Sequence, residues 1–356
     1  MSQIVFPERP PKDEHRAKWM AAWLFSVAGM VLVMIALGGL TRLTHSGLSM
    51  VEWNVFTGWI PPLNEADWAE LFDKYRQFPE FMKVNAEMTL DGFKGIFWLE
   101  FIHRVWGRLL GFAFFLPFAA FLVMRWVKVS DGLFWKLFGL LLLGASQGVM
   151  GWFMVMSGLV DRPDVSQYRL VAHFALAVVI IGLLIWVALS LLHPKPYDQH
   201  HQDTGGLKRS AHWLVTLIFV TAMAGGFVAG TDAGFAYNTF PLMDGQIIPD
   251  GVFAYDPVWL APFEDITTVQ FIHRTLAEIT IVWVLLFWMS TADKHLAPCT
   301  RYAIHLFGLM ALLQVGLGIS TLLLGVPVAL ASLHQLGAVA LFSLGVWVLH
   351  ELRTAR

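Results

Sequence analysis

A chain of 356 residues that is 57% hydrophobic and only 14% charged exceeds what a soluble core requires, so the composition excludes a soluble enzyme and defines an integral membrane protein. The formal net charge of −2 points to no partner, and nothing in the sequence asks for nucleic acid. A lone cysteine, Cys299, excludes an internal disulfide, a two-cysteine redox motif and an iron–sulfur cluster.

Residues 1–18 mix Glu8, Asp13 and Glu14 with Arg9, Lys12, Arg16 and Lys18 around Pro10-Pro11. That is neither a signal peptide nor an acid-poor transit peptide, and it reads as a cytoplasmic tail. Apolar stretches long enough to span follow at roughly 19–41, 96–124, 133–158, 168–192, 211–230, 268–291, 301–325 and 329–350, by the usual requirement of about 20 residues. The fold expected is all-α, with eight transmembrane helices forming two pseudo-symmetric four-helix bundles. The N-terminal half covers 19–192 with a long outer loop at 42–95. A polar linker at 193–210 leads to the C-terminal half, 211–350, with its own outer loop at 231–267 and a tail at 351–356.

Placing both termini in the cytoplasm puts fourteen Lys and Arg on that side against seven outside, which satisfies the positive-inside rule. The second outer loop carries Asp232, Asp244, Asp250, Asp256, Glu264 and Asp265 with no Lys or Arg. In the first, Trp68, Leu71, Phe72 and Tyr75 recur at helical spacing, either as an amphipathic helix on the outer surface or as a helix capping the bundle.

The halves repeat. Phe101-Ile102-His103-Arg104 returns as Phe271-Ile272-His273-Arg274, Gly38-Gly39 as Gly225-Gly226, and Gln147 with Gly151 as Gln314 with Gly318. Offsets near 170 residues point to a duplicated four-helix unit in parallel orientation.

Within this frame His103 and His173, then His273 and His334, fall near the starts of the second, fourth, sixth and eighth spans, within roughly two turns of the outer ends. A lone membrane histidine is usually a helix–helix hydrogen-bonding residue. Four at similar depth, repeated by half, read instead as two pairs of axial haem-iron ligands. Zinc would ask for added Cys or carboxylate and copper for Met or Cys, so haem fits the donor set better. Gly107, Ala177, Ala277 and Ala338 each lie four residues beyond a histidine, on its face, where they either leave room for a flat macrocycle or serve close helix packing.

One difference separates the halves: three residues before the first ligand stands Glu100 in one and Gln270 in the other. A carboxylate can move protons or steady a developing cation and an amide cannot, so the first half reads as reactive and the second as a stable cofactor site. The structural alternative is an ion pair between Glu100 and Arg104 at i+4. Arg104, Arg108 and Arg274 are candidate contacts for haem propionates, or equally partners of nearby acids or lipid phosphate, with Glu278 at i+4 available to Arg274. His45 is a weak candidate near the ligand plane. Histidines 15, 193, 200, 201, 212, 295, 305 and 350 fall in tails, linker or cytoplasmic helix ends, where a solvated or interfacial place is the default. Met150, Met154 and Met156 read as packing residues.

At this point the residues resemble a known family. Glu100-Phe101-Ile102-His103-Arg104 with Gly107-Arg108 is similar to the second-helix signature of the haem A synthases. Thr44-His45-Ser46-Gly47-Leu48-Ser49-Met50, with Trp53, Gly58 and Pro61-Pro62-Leu63, resembles the first outer loop of their proteobacterial and mitochondrial branch, and the likeness extends over nearly the whole chain. The cysteine pair that the Gram-positive branch carries in that loop has no counterpart in residues 42–95.

The resemblance implies oxidation of a methyl group of haem O to a formyl group, stepwise through an alcohol, giving haem A for terminal oxidases. It implies a permanent haem b on His273 and His334, the substrate haem on His103 and His173, and an essential acid at Glu100. The expected partners are haem O, haem O synthase, oxidase assembly factors, an electron acceptor and the lipid membrane. The absence of a transit peptide favours a bacterial plasma membrane over the mitochondrial inner membrane. Competing readings are a two-haem b-type electron-transfer cytochrome, which needs no Glu100, and a haem carrier.

Overall fold

The computed structural model describes residues 11–53, 58–158, 165–195 and 204–353. Among them the regular elements are helices: α1 (Pro11–Leu43), α2 (Glu65–Tyr75), α3 (Pro79–Lys83), α4 (Leu90–Val123), α5 (Gly132–Gly158), α6 (Gln167–Leu192), α7 (Gly205–Gly230), α8 (Ala261–Glu264), α9 (Ile266–Met289), α10 (Pro298–Leu323) and α11 (Val328–Glu351). Eight of these, α1, α4 to α7 and α9 to α11, are long and apolar enough to cross a bilayer, and the protein is a multi-pass membrane protein.

Helix ends depart from the hydropathy limits where polar turns continue a span. The N-terminal segment joins α1 from Pro11, with Asp13 and Glu14 in the first turn against the helix dipole and Lys18 bonded to Glu14 at 2.7 Å. The linker expected at 193–210 gives up its last residues to α7, which begins at Gly205. Helix α4 starts at Leu90, capped by the Thr89 side chain on Gly92 N–H, rather than near residue 96. His103 therefore lies thirteen residues along its helix, about 20 Å at 1.5 Å per residue, instead of within two turns of its end. His173, His273 and His334 lie six or seven residues into theirs, as expected.

Helices α1, α6, α7 and α11 form the centre, with α6 touching α1, α5, α7 and α11. Helices α4 and α5 flank one side, α9 and α10 the other. In lipid there is little hydrophobic gain from bringing helices together, so contact relies on small residues that let backbones approach. Gly226 and Gly230 of α7 meet Val171 and Gln167 of α6, Gly182 of α6 meets Phe342 of α11, and Gly345 of α11 meets Val215 of α7. Pro117 lies within α4 and cannot donate to the carbonyl of Ala113 one turn earlier. Trp23 of α1 fills that gap, its indole N–H donating to Ala113 O at 2.8 Å, so that this carbonyl keeps a partner in the apolar layer.

Both long connections emerge at one end of the bundle. Arg42 at the end of α1 pairs with Asp232 just beyond α7 at 3.1 Å, tying the two connections together. In the first connection the expected helix forms as α2, and its apolar face is spent on α4. Trp68 and Tyr75 are buried with Phe93, Phe97 and Phe101 in a cluster separate from the main core. Trp68 stands edge-on to Phe97 at 5.0 Å, and Tyr75 stacks on Phe93 at 5.2 Å. Burial raises the Tyr75 phenol above its ordinary pKa, and Asn85 donates to its oxygen at 2.8 Å. This packing makes α2 a cap. Trp68→Ala is expected to cost about 3 kcal/mol of its docking, read as faster proteolysis of the 58–89 segment with the spans intact.

At the opposite end one expectation fails. His350 is fully buried rather than solvated. It sits edge-on to Trp186 at 5.2 Å, 3.4 Å from Ser190 Oγ, and in contact with Arg353, whose guanidinium also reaches the His193 carbonyl. Burial follows because α11 ends against α6 rather than in water.

Candidate functional site

Each of the four histidines rests on a glycine of a neighbouring helix. His103 of α4 lies against Gly38 of α1, His173 of α6 against Gly151 of α5, His273 of α9 against Gly225 of α7, and His334 of α11 against Gly318 of α10. A β-carbon at those glycines would stand 3.2, 3.4, 2.9 and 2.8 Å from the imidazole Cε1. The His273 and His334 rings therefore occupy space that a β-carbon would fill, the His103 seat is tight, and the His173 seat is at ordinary contact distance.

In the second half the two rings face one another, centroids 6.4 Å apart and planes at 80°. One metal between two imidazoles, at about 2 Å to each nitrogen and about 1 Å more to each ring centre, needs a separation of about 6 Å. His273 Nδ1–H donates to Thr221 O at 3.1 Å and so keeps the Nε2 lone pair for a ligand, while His334 Nδ1 lies 3.0 Å from the Gln314 amide nitrogen. An outer partner on one nitrogen is the usual way a ligating imidazole is oriented. In the first half His103 bonds to the Leu37 carbonyl. His173 Nδ1 is buried without a partner. Gln147 donates to His173 O at 3.0 Å, as Gln314 does to His334 O at 2.9 Å. Among the described residues no three His, Cys, Asp or Glu converge, so the donor sets are pairs. Paired imidazoles on glycine seats fit iron held from both faces.

Glu100 and Gln270 are both buried one turn from the first histidine of their half, and their surroundings differ. Glu100 Oε1 accepts from Arg104 Nε at 3.0 Å and also from Nη2, while Oε2 accepts from Ser49 Oγ and Met50 N–H, both at 2.7 Å. Arg104 continues to Met50 O at 2.6 Å and Glu52 O at 2.8 Å, and lies over the Trp53 ring at 4.8 Å. The first connection is thus clamped onto α4 directly above His103. Gln270 donates to Tyr237 O at 3.1 Å and leaves Oε1 buried and unbonded.

The three arginines all hold loop carbonyls: Arg108 reaches Gly58 O at 2.5 Å, and Arg274 reaches Pro241 O at 2.9 Å while lying over Phe240. Arg104 spends Nε, Nη1 and Nη2 on protein acceptors, whereas Arg274 keeps Nη1 buried with no acceptor. His45 is exposed, in a left-handed turn after α1, and Cys299 is half-buried at the start of α10. His200 and His201 lie outside the described residues. The glycine seats and the Ser49 and Met50 donors are the parts of the site that residue types alone did not assign. Their only signal is the repeat of Gly38, Gly151, Gly225 and Gly318 themselves.

These features define an eight-span helical membrane protein in which the His273 and His334 imidazoles face one another and a buried carboxylate, Glu100, stands one turn from His103. Residues 21–346 match the COX15-CtaA family model, described as cytochrome oxidase assembly protein, and the chain belongs to that family. It is 55% identical to the heme A synthase of Paramagnetospirillum magneticum over 94% of this chain and 93% of the relative. Against the heme A synthase of Nitrosospira multiformis identity is 49% over 98% of both chains. Against heme A synthase COX15 of Bos taurus it is 43% over 97% of this chain and 84% of the relative.

Proposed function

We propose that this protein is a haem A synthase that oxidises a methyl group of haem O to a formyl group. Near-full-length identity to proteins of that name, joined to two imidazole pairs of which only one has a carboxylate beside it, carries the reading. On this reading the N-terminal half, residues 19–192, holds the substrate haem between His103 and His173. The C-terminal half, residues 211–350, holds haem b between His273 and His334. When bound, that haem b supplies a one-electron acceptor for electrons leaving the substrate. Gly225 and Gly318 seat the two imidazoles that would hold it, and contacts of their Nδ1 atoms with Thr221 and Gln314 oppose rotation of the rings. Arg274 Nη1, buried and without an acceptor, suits a propionate oxygen better than Arg104 does.

Glu100 takes up a proton released during oxidation of the methyl group, or steadies positive charge on the substrate. Of its four donors the Ser49 hydroxyl is the one that can rotate away without moving backbone, so proton uptake at Oε2 costs one hydrogen bond. Clamping of the first connection by Arg104 keeps water from that carboxylate. On this reading both termini lie in the cytoplasm and the long connections outside, in a bacterial plasma membrane; the charge balance of the loops supports that orientation. Haem O synthase and oxidase assembly factors are the expected neighbours, as donor of the substrate and receivers of the product.

The test is to purify the protein from cells that make haem O and identify its extracted pigments by mass. Haem b together with haem O, its hydroxylated form or haem A is the expected result. Haem b alone after turnover would overturn the synthase reading in favour of an electron carrier.

A further inference from the structure

The double glycines look in two directions. Successive helical residues point about 100° apart, so two adjacent glycines open two different faces of one helix. Gly38 of α1 receives His103, and Gly39 receives the amide of Gln335, the residue that follows His334 on α11. Gly225 of α7 receives His273, and Gly226 receives Val171 and Phe174 of α6, with a β-carbon there 3.0 Å from Val171 Cγ2 and 3.8 Å from Phe174 Cδ1. Those two side chains flank His173. Each double glycine thus joins the first ligand of its own half to the second ligand of the other half, along the direct contacts of α1 with α11 and of α6 with α7.

We propose that Gly38-Gly39 and Gly225-Gly226, with Gln335, are positioning residues that couple the two iron sites, so that ligand geometry in one half is set partly by the other. This rests on the paired-ligand reading above. The two joints are unequal, because an amide fills the first and an aromatic ring and a valine fill the second. Movement of the α1 step therefore bears on the resident site through Gln335, and movement of the α7 step bears on the substrate site through Phe174 and Val171.

The test uses the full-length protein with its resident haem. Gly39→Ala adds a β-carbon whose three nearest neighbours are all atoms of Gln335. It is expected to shift the low-spin electron paramagnetic resonance signal and the midpoint potential of the resident haem, at unchanged haem content, although residue 39 belongs to the other half. Gln335→Ala, which adds no bulk, is expected to shift the same signal, and combining the two is expected to return it toward the wild type. Gly226→Ala is expected to weaken substrate haem binding about tenfold, as overpacking does, while leaving that signal in place. Gly29→Ala, on α1 with nothing near its β-carbon, is expected to change neither.

A wild-type signal in both Gly39→Ala and Gln335→Ala would overturn the coupling and leave the ligand pairs standing. A wild-type protein without a bis-imidazole signal would overturn the ligand pairs themselves.

Discussion

Glu100→Gln is expected to lower haem A formation by about 100-fold or more, the usual worth of a positioned proton-transfer group, while haem b stays bound on the second half. The substitution preserves volume and removes one of the two things Glu100 does. All four donors around it point inward, and an amide can accept on one atom only. Its NH2 must then face either Arg104 or the Ser49–Met50 pair, and the first connection loosens there. A purely structural carboxylate would show that loosening as lower stability and faster proteolysis of residues 58–89 with turnover retained in the surviving protein. A reactive carboxylate shows stalled product with substrate haem still bound. Measuring haem A per bound substrate haem separates the two, and a normal yield would sink the chemical role.

Much of the fold was legible because length and hydropathy alone specify spanning helices, and all eight appear within a few residues of the apolar runs at most ends. The extra turns of α4 were hidden because Leu90-Asp91-Gly92-Phe93-Lys94-Gly95 is too polar for a span, yet its Phe93 serves the cap formed by α2. The four ligand candidates were legible from their repeat. Their seats were not, because the residues four positions beyond each histidine share its own helix face, whereas the space for each ring is made by a glycine on the next helix. Which face a neighbouring helix presents depends on its rotation about its axis, and hydropathy hardly constrains that rotation when lipid and protein interior are both apolar. The Ser49 and Met50 donors were hidden for a related reason: they lie about fifty residues from Glu100 in a polar loop, and only the fold of that loop brings them to α4.

His334→Ala is expected to abolish the low-spin bis-imidazole signal of the resident haem, and Gly318→Ala to weaken haem b retention by about 10- to 100-fold, as changes just outside a metal's ligands do. The second half can yield little. A β-carbon on Gly318 would come 2.8 Å from His334 Cε1 and 3.4 Å from both ring nitrogens, closer than non-bonded carbons approach. The imidazole cannot retreat by rotation without breaking its Nδ1 contact to Gln314. It cannot retreat toward α9 because His273 stands 6.4 Å away across the metal position, itself held by Thr221. Gly151→Ala makes the comparison in the first half. There the β-carbon would lie 3.4 Å from His173 Cε1, an ordinary contact, and His173 Nδ1 has no protein partner to lose. On the proposed reading substrate enters and product leaves that site, so a looser seat is in keeping with that use. Spectra of the two alanine variants, titrated with haem at equal protein concentration, should therefore differ strongly at residue 318 and little at residue 151. Equal losses at both would mean that the seats do not distinguish a permanent haem from a passing one.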